Sequence, residues 1–254
     1  MTVNKIMLLG VALLFFFTGC TQQDKYQVKK QADAARNLGE AYMAESSYPE
    51  ALKELLKADR LDPKNPYTHN DLGLVYMGLE RPEHAIGMFK KAIALNPDYV
   101  SAKNNLGSAY LMKKDWDSAI KILEKIAGNL LYASPQYPLS NLGWAYYNKR
   151  EYPIAKKYYS DALKRKPLFF PALLGLGRTY LAMGRIFDAK SEFLKAKTIN
   201  PDNPELLFEL GRIYRLSGDY IKARKNLNNA ISKTQDSTLV EKAISEIKRL
   251  KLLQ

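Results

Sequence analysis

Few side chains in this sequence have the identity and spacing that catalysis or metal binding requires. The chain has two histidines, His69 and His84, and a single cysteine, Cys20. The histidines lie too far apart to form a metal-ligand pair on one helix, and no second cysteine can join them. No glycine-rich phosphate loop and no Ser–His–Asp arrangement stands out. We therefore expect no catalytic residue, metal site, cofactor or small-molecule substrate, and we expect both histidines on solvated helix surfaces.

Cys20 is the one residue that suggests covalent chemistry. It follows an apolar run over residues 6–17, which is shorter than the roughly 20 residues that a membrane-spanning helix needs and fits the core of an export signal. The Thr-Gly-Cys ending resembles the lipobox of bacterial lipoproteins, with Phe17 where leucine is usual. The resemblance implies a signal peptide over residues 1–19 and a lipidated Cys20, with an uncleaved N-terminal anchor as the alternative.

The residue after the cysteine bears on localisation. In lipoproteins of this kind an aspartate there resembles a signal for retention in the inner membrane, and this chain has Thr21. The resemblance therefore implies the outer membrane, with the protein facing the periplasm. Residues 20–31 are polar after the cysteine and predict a tether, which would reach roughly 35 Å if fully extended.

The net charge narrows the choice of partners. The chain has 39 lysines and arginines against 26 aspartates and glutamates, a formal net charge of +13. A nucleic acid, an anionic membrane surface or an acidic protein would each suit that charge. The basic residues are spread along the chain and form no run of about five or six, the pattern of a nucleic-acid-binding arm. We therefore favour a solvated basic surface and expect no nucleic-acid partner.

A sixfold repeat dominates the rest of the chain. A glycine preceded by leucine and followed three residues later by tyrosine recurs at intervals of 34 or 36 residues, and an alanine follows each glycine by twelve. The six glycines are Gly39, Gly73, Gly107, Gly143, Gly177 and Gly211. This pattern is that of the tetratricopeptide repeat, a helix-turn-helix of about 34 residues. It predicts an all-α fold, a right-handed solenoid of six repeats with a C-terminal capping helix.

The landmarks also predict boundaries. The six repeats are expected over residues 32–65, 66–99, 100–135, 136–169, 170–203 and 204–237. Residues 238–254 have apolar side chains at helical spacing and predict the capping helix, with a partner-binding or membrane-surface helix as the alternative. The third repeat has two extra residues near Leu131 and Tyr132, which mark either a binding feature or a tolerated change of loop length.

The first helix of each repeat should line a groove in which a partner would bind. The groove positions lie two residues before, one after and four after each glycine. The candidate partner-binding residues among them are Asn105, Asn141, Trp144, Tyr147, Arg178 and Arg212. Asparagine amides can pair with a peptide backbone, aromatic residues are common interface anchors, and arginines can hold a carboxylate. The alternative is that the asparagines only join neighbouring helices and that Trp144 is core packing.

A lipoprotein signal followed by six such repeats resembles the pilotin family of type IV pilus biogenesis. The resemblance extends to the chain length, the repeat number and the break after the third repeat, where Leu131-Tyr132 precedes Asn141-Leu142-Gly143. It implies a protein partner, the outer-membrane secretin, whose localisation and assembly the chain would assist. The alternative is an envelope adaptor that docks cell-wall hydrolases, proteases or export components.

Overall fold

The computed structural model describes residues 3–128 and 133–252, and for residues 3–23 and 251 it describes the backbone alone. Within those ranges the chain forms thirteen helices and no strand, which confirms the predicted all-α fold class. The helices are α1 (Val3–Ala44), α2 (Tyr48–Leu61), α3 (Pro66–Gly78), α4 (Pro82–Leu95), α5 (Val100–Met112), α6 (Trp116–Ala127), α7 (Gln136–Asn148), α8 (Tyr152–Arg165), α9 (Phe170–Ala182), α10 (Ile186–Ile199), α11 (Pro204–Leu216), α12 (Tyr220–Ser232) and α13 (Ser237–Lys251).

Two features predicted from the sequence fall outside this description. The side chain of Cys20, the predicted lipidation site, is not among the described residues, and neither are Leu131 and Tyr132. The backbone of α1 is helical through residues 20–31. A helical segment of that length spans roughly 18 Å, about half the reach of the extended tether expected from the sequence.

The helix pairs are joined by turns of one design. The residue seven after each landmark glycine has a positive φ, in the left-handed region that ends many helices. These residues are Ser46, Glu80, Lys114, Arg150, Gly184 and Gly218. Several second helices then begin with proline in the first turn, where no N–H is needed. The same turn chemistry therefore closes each of the six helix pairs.

The contacts divide the chain into two units, residues 1–113 and residues 114–254. In unit 1, the helices α1 to α5 pack in sequence, each against the next, and α3 also contacts α1 and α5. One of its cores is formed by Ala51, Leu55, Leu72 and Val75. Ala51 and Leu72 are positions of the periodic pattern and are buried here, whereas Leu38, the first leucine of that pattern, is exposed.

In unit 2, the helices α6 to α13 also pack each against the next, and α7 contacts α9. Its cores centre on Tyr159, Phe193 and Leu227, which follow their repeat glycines at the same spacing. The last helix buries Leu239, Ala243 and Leu250 in a cluster with side chains of α11 and α12. Because its apolar face is covered in this way, α13 caps the array, as the sequence predicted.

The two histidines differ in their exposure to solvent. The expectation of a solvated position is wrong for His69, which is buried and has Nε2 3.0 Å from the carbonyl oxygen of Pro63. It lies one turn before Gly73, on the side of α3 that faces Asp59 of α2. His84 is exposed and stacks on Tyr76. In the described part of the chain, no group of histidine, cysteine and acidic residues could hold a metal ion, and no helix is long and apolar enough to cross a membrane.

Candidate functional site

Unit 2 brings five of the six predicted partner-binding residues onto three helices. Asn141, Trp144 and Tyr147 lie on α7, Arg178 on α9 and Arg212 on α11. They are all half-buried, the exposure expected of residues that line a cleft. Asn105, the sixth, lies on α5 in unit 1.

Two adjoining cavities, of about 270 and 310 Å³, open along these helices. Both are lined by Trp144, Arg178 and Glu205, so they form one continuous surface, which we call the Trp144 cleft. The first cavity is also lined by Ser140, Asn141, Tyr159, Pro171, Leu174 and Gly175. The second is completed by Tyr147, Phe208, Glu209, Asp236, Leu239 and Lys242.

The first cavity depends on the fit between Tyr159 and Gly175. The Tyr159 ring is buried between α7 and α9, and a Cβ atom added to Gly175 would lie only 2.2 Å from its Cζ. In the other repeats the position of Gly175 holds Asn37, Asp71, Asn105, Asn141 or Glu209. The missing side chain at Gly175 therefore makes room both for the Tyr159 ring and for the cavity beside it.

The sequence places Gly175 at a groove position but did not suggest a role for it. The pairing of Gly175 with Tyr159 could have been inferred from the sequence, because both residues depart from the repeat pattern. Tyr159 stands where the other repeats have leucine or phenylalanine, and the glycine stands one repeat further on. A larger ring beside a missing side chain indicates a compensating pair.

The second cavity has an aromatic wall. The ring of Trp144 is stacked on that of Tyr147, with centroids 5.8 Å apart and planes inclined by 11°. Burial, followed by the nearby charge of Glu209, raises the pKa of the Tyr147 hydroxyl above its ordinary value. This shift favours the neutral form of Tyr147, which offers both an aromatic face and a hydroxyl donor.

The arginines of the cleft already have carboxylate partners. Arg178 donates from Nε to Glu209 at 3.0 Å and from an Nη atom to Glu205 at 2.9 Å, and Arg212 donates to Glu209 at 2.8 Å. Burial alone would lower the pKa of Arg178, but the two glutamates outweigh it and raise that pKa. A partner's carboxylate would have to displace these ion pairs. Arg178 therefore chiefly joins α9 to α11, whereas Arg212 pairs with a glutamate of its own helix.

In unit 1, the equivalent surface carries a ladder of polar contacts. Asn105 donates to Asn70 at 2.9 Å, Asn70 lies 3.4 Å from Asp71, and Arg36 donates to Asp71 at 2.7 Å. Arg36 also pairs with Glu40. Asn105 thus joins α5 to α3, which is the helix-joining role that the sequence left open as the alternative to partner binding.

Asp71 provides a pH-dependent prediction. Burial, opposed by Arg36, raises the pKa of its carboxyl from 3.8 to about 6. The folded state therefore holds this proton more tightly than the unfolded state does. The resulting stabilisation is fully present below pH about 4 and is lost as the pH rises through about 6. We expect the Asp71 carboxyl carbon to titrate by NMR with a midpoint near that value.

The Asp71→Asn variant supplies the assignment and the control for this titration. Its spectrum should lack the resonance, and its stability should lose the dependence on pH between about 4 and 6. A midpoint below about 4 for the wild-type carboxyl would show that the attraction of Arg36 outweighs burial.

Comparison with known proteins shows which family the chain belongs to. The tetratricopeptide repeat description matches residues 70–138 and 140–204, and further descriptions of the same repeat match residues 30–79 and 192–225. Human TMTC3, a protein O-mannosyl-transferase, is 26% identical over 212 residues, which are 80% of this chain and 20% of TMTC3. The chain spans about a fifth of the length of the curated relatives that it matches.

Two solved structures are similar over nearly their whole length. PilW, a widely conserved type IV pilus biogenesis factor, has a TM-score of 0.73 at 21% identity, covering 84% of this chain and 98% of PilW. PilF of Pseudomonas aeruginosa has a TM-score of 0.72 at 19% identity, covering 90% of this chain and 100% of PilF. At these identities the likeness shows the fold. The chain belongs to the tetratricopeptide-repeat family.

Proposed function

We propose that this chain is a lipid-anchored scaffold of the outer membrane that binds protein partners, and that it acts as a pilotin-type factor. In this role it assists the localisation and assembly of the type IV pilus secretin. The proposal is supported by the likeness to PilW and PilF, each of which is covered almost from end to end, together with the lipobox-like sequence before Cys20. The matches to the longer curated relatives cover only a fifth of their length and give no comparable support.

Membrane attachment is the second part of the proposal. Lipidation at Cys20 after removal of residues 1–19 supplies the anchor, and two or more acyl chains hold a protein on a membrane durably. With Thr21 rather than aspartate after the cysteine, the protein is retained at the outer membrane and faces the periplasm. The net charge of the whole sequence is +13, and without Lys5 of the removed segment it is +12, which suits a position beside an anionic surface.

The Trp144 cleft is the proposed partner-binding site. It combines the stacked faces of Trp144 and Tyr147 with the amide of Asn141 and with ion pairs that are already closed. Aromatic anchors beside amide groups favour an extended polypeptide with one large side chain in the first cavity. Such a site holds a partner and needs no reacting group, so the proposal includes no enzymatic activity.

Deletion of the gene tests the proposed function. We expect the pilus secretin to lose its heat-stable multimer in the outer membrane and to regain it when the wild-type gene is restored. The measurement is an immunoblot of unheated and heated outer-membrane fractions. An unchanged multimer with normal pili would contradict the pilotin role, and affinity capture with the lipidated chain would then be directed at the envelope-adaptor alternative.

A variant with Asn141→Ala and Trp144→Ala tests the cleft in the same strain. It should fold, as judged by circular dichroism, yet fail to restore the multimer. The matched control replaces Lys121 and Lys125, two exposed residues of α6 that do not line the cleft, by alanine. Full restoration by the folded cleft variant would place the binding site elsewhere on the chain.

A further inference from the structure

Two large apolar side chains of unit 2 are almost fully exposed. Phe187 is 87% exposed and Ile221 is 83% exposed. They hold the same position in successive helix pairs, the second residue of α10 and of α12. The equivalent residues of the other helix pairs are Pro49, Glu83, Asp117 and Pro153. The repeat therefore does not require a large apolar residue there, and the exposure of these two needs another explanation.

The two residues belong to one local surface. Lys190, three residues after Phe187, lies over the ring of Tyr214 with Nζ 5.0 Å from the centroid. Lys222, the neighbour of Ile221, lies over the same ring at 5.7 Å. Because both lysines contact the ring of Tyr214 on α11, the N-terminal parts of α10 and α12 both lie next to this tyrosine. We call this surface the 187/221 patch.

The charge around the patch is strongly positive. Its basic residues are Arg185, Lys190, Lys222, Arg224 and Lys225, against the two acidic residues Asp188 and Asp219. Each acidic residue is paired within the patch, Asp188 with Arg185 at 2.7 Å and Asp219 with Lys222 at 2.8 Å. Basic residues therefore outnumber acidic ones beside the exposed apolar pair, and both carboxylates are already neutralised.

A depression next to Ile221 adds polar donors to this surface. It has a volume of about 390 Å³ and is lined by Tyr220, Ile221, Arg224, Lys225 and Asn228. Arginine, lysine and asparagine side chains donate hydrogen bonds, and the first two carry the charge that binds phosphate. The donors lie directly beside the apolar side chain that would enter an acyl layer.

From this arrangement we propose that the 187/221 patch contacts an anionic phospholipid surface. Phe187 and Ile221 enter the boundary between headgroups and acyl chains, and the surrounding lysines and arginines bind the headgroup phosphates. Charge complementarity selects this occupant, because a membrane surface offers negative charge and an apolar interior in the same place. The inference does not depend on which protein occupies the Trp144 cleft.

The test uses the full chain, reconstituted in vesicles of phosphatidylcholine and phosphatidylglycerol that contain a phospholipid with a photoactivatable group in its acyl chain. After irradiation and proteolysis, mass spectrometry locates the lipid adducts. We expect adducts on peptides that contain Phe187 and Ile221, in addition to any on the N-terminal segment. Adducts confined to the N-terminal segment would overturn the proposal.

Two double variants test whether the lipid adducts depend on the apolar residues of the patch. Replacing Phe187 and Ile221 together by serine should reduce the adducts at α10 and α12 to the level seen without the photoactivatable lipid. The matched control replaces Ile154 and Leu168, exposed apolar residues outside the patch, by serine and should leave the adducts unchanged. Equal adduct yields in the two double variants would contradict the inference.

Charge reversal provides an independent readout. Lys222→Glu with Lys225→Glu should lower the adduct yield in vesicles that contain phosphatidylglycerol, and the wild-type yield should fall as salt is raised. Adduct yields that change neither with the charge reversal nor with the salt concentration would overturn the electrostatic part of the proposal. If two copies of the chain crosslink through α10 and α12 in lipid-free solution, the patch serves self-association, and the proposal of membrane contact is overturned.

Discussion

Replacing Gly175 by asparagine should destabilise unit 2 by about 1–3 kcal/mol, the usual range for forcing extra atoms into a packed core. Asparagine is the residue that three other repeats have at this position, Asn37, Asn105 and Asn141. Repeat consensus alone would therefore favour the change. The steric contact opposes it, because a Cβ atom at position 175 would lie 2.2 Å from Cζ and 2.5 Å from Oη of Tyr159.

The position of the Tyr159 ring explains why the effect is local. In the repeats with phenylalanine, a Cβ atom on the repeat's own glycine would lie 2.4 Å from Phe89 or 2.3 Å from Phe193. The corresponding distance from Gly143 to Tyr159 is 2.8 Å. The tyrosine ring is thus displaced away from Gly143 and towards Gly175, where its hydroxyl finds room.

A second substitution should therefore relieve the first. With phenylalanine at position 159, the ring can move back towards Gly143, and the double variant would reproduce the combination that the chain already has in Phe89 and Asn105. Accordingly, Gly175→Asn combined with Tyr159→Phe should recover much of the lost stability. Urea denaturation followed by tryptophan fluorescence measures this directly, because the two tryptophans of the chain, Trp116 and Trp144, both lie in unit 2.

Gly87 provides the matched control for this experiment. It lies inside α4, and a Cβ atom there would meet nothing within 4 Å. Gly87→Ala should therefore stabilise the fold by up to about 1 kcal/mol through helix propensity, as followed by circular dichroism. If Gly175→Asn were equally harmless, the ring of Tyr159 would have to be mobile, and the compensating pair would not exist.

Neutralising Glu209 should have the second large effect. The Glu209→Gln variant is expected to lose about 2–3 kcal/mol of folding free energy, because two arginines lose the charge of a shared buried partner. The side chain of Glu209 is 6% exposed, whereas those of Arg178 and Arg212 are 19% and 35% exposed. Because the arginines keep part of their hydration, the expected loss of folding free energy is smaller than the loss from breaking a fully buried ion pair. Urea denaturation at neutral pH measures the loss.

An exposed ion pair of the same unit provides the comparison. Lys149 donates to Asp117 at 2.7 Å, but the aspartate side chain is 85% exposed. Asp117→Asn should therefore leave the unfolding free energy nearly unchanged. Equal losses from Glu209→Gln and Asp117→Asn would show that burial adds nothing to the pair that joins α9 to α11.

The repeat pattern predicted the fold correctly because its periodicity fixes which residues are buried. The landmark glycines and the bulky residues after them meet between paired helices, as at Gly177 and Phe193. The same pattern placed α13 over the apolar end of unit 2, with Leu239 and Leu250 buried. These features depend on local spacing, which the sequence displays directly.

The cleft was less predictable because its properties depend on contacts between repeats. Arg178 pairs with glutamates of this chain because Glu205 and Glu209 lie on α11. The first cavity exists because Tyr159 packs against Gly175. The burial of His69 likewise depends on α2. A sequence read one repeat at a time does not show such contacts, and the groove residues named from it remain a prediction.

The closed ion pairs of the Trp144 cleft affect the speed of binding. Since Arg178 and Arg212 are neutralised by glutamates of this chain, the cleft exerts little long-range attraction on a charged segment. These ion pairs would then add no electrostatic steering of their own to the ordinary association rate of about 10⁵–10⁷ M⁻¹s⁻¹. Discrimination between partners would arise after the encounter, from how long an aromatic or aliphatic side chain remains in the cavity.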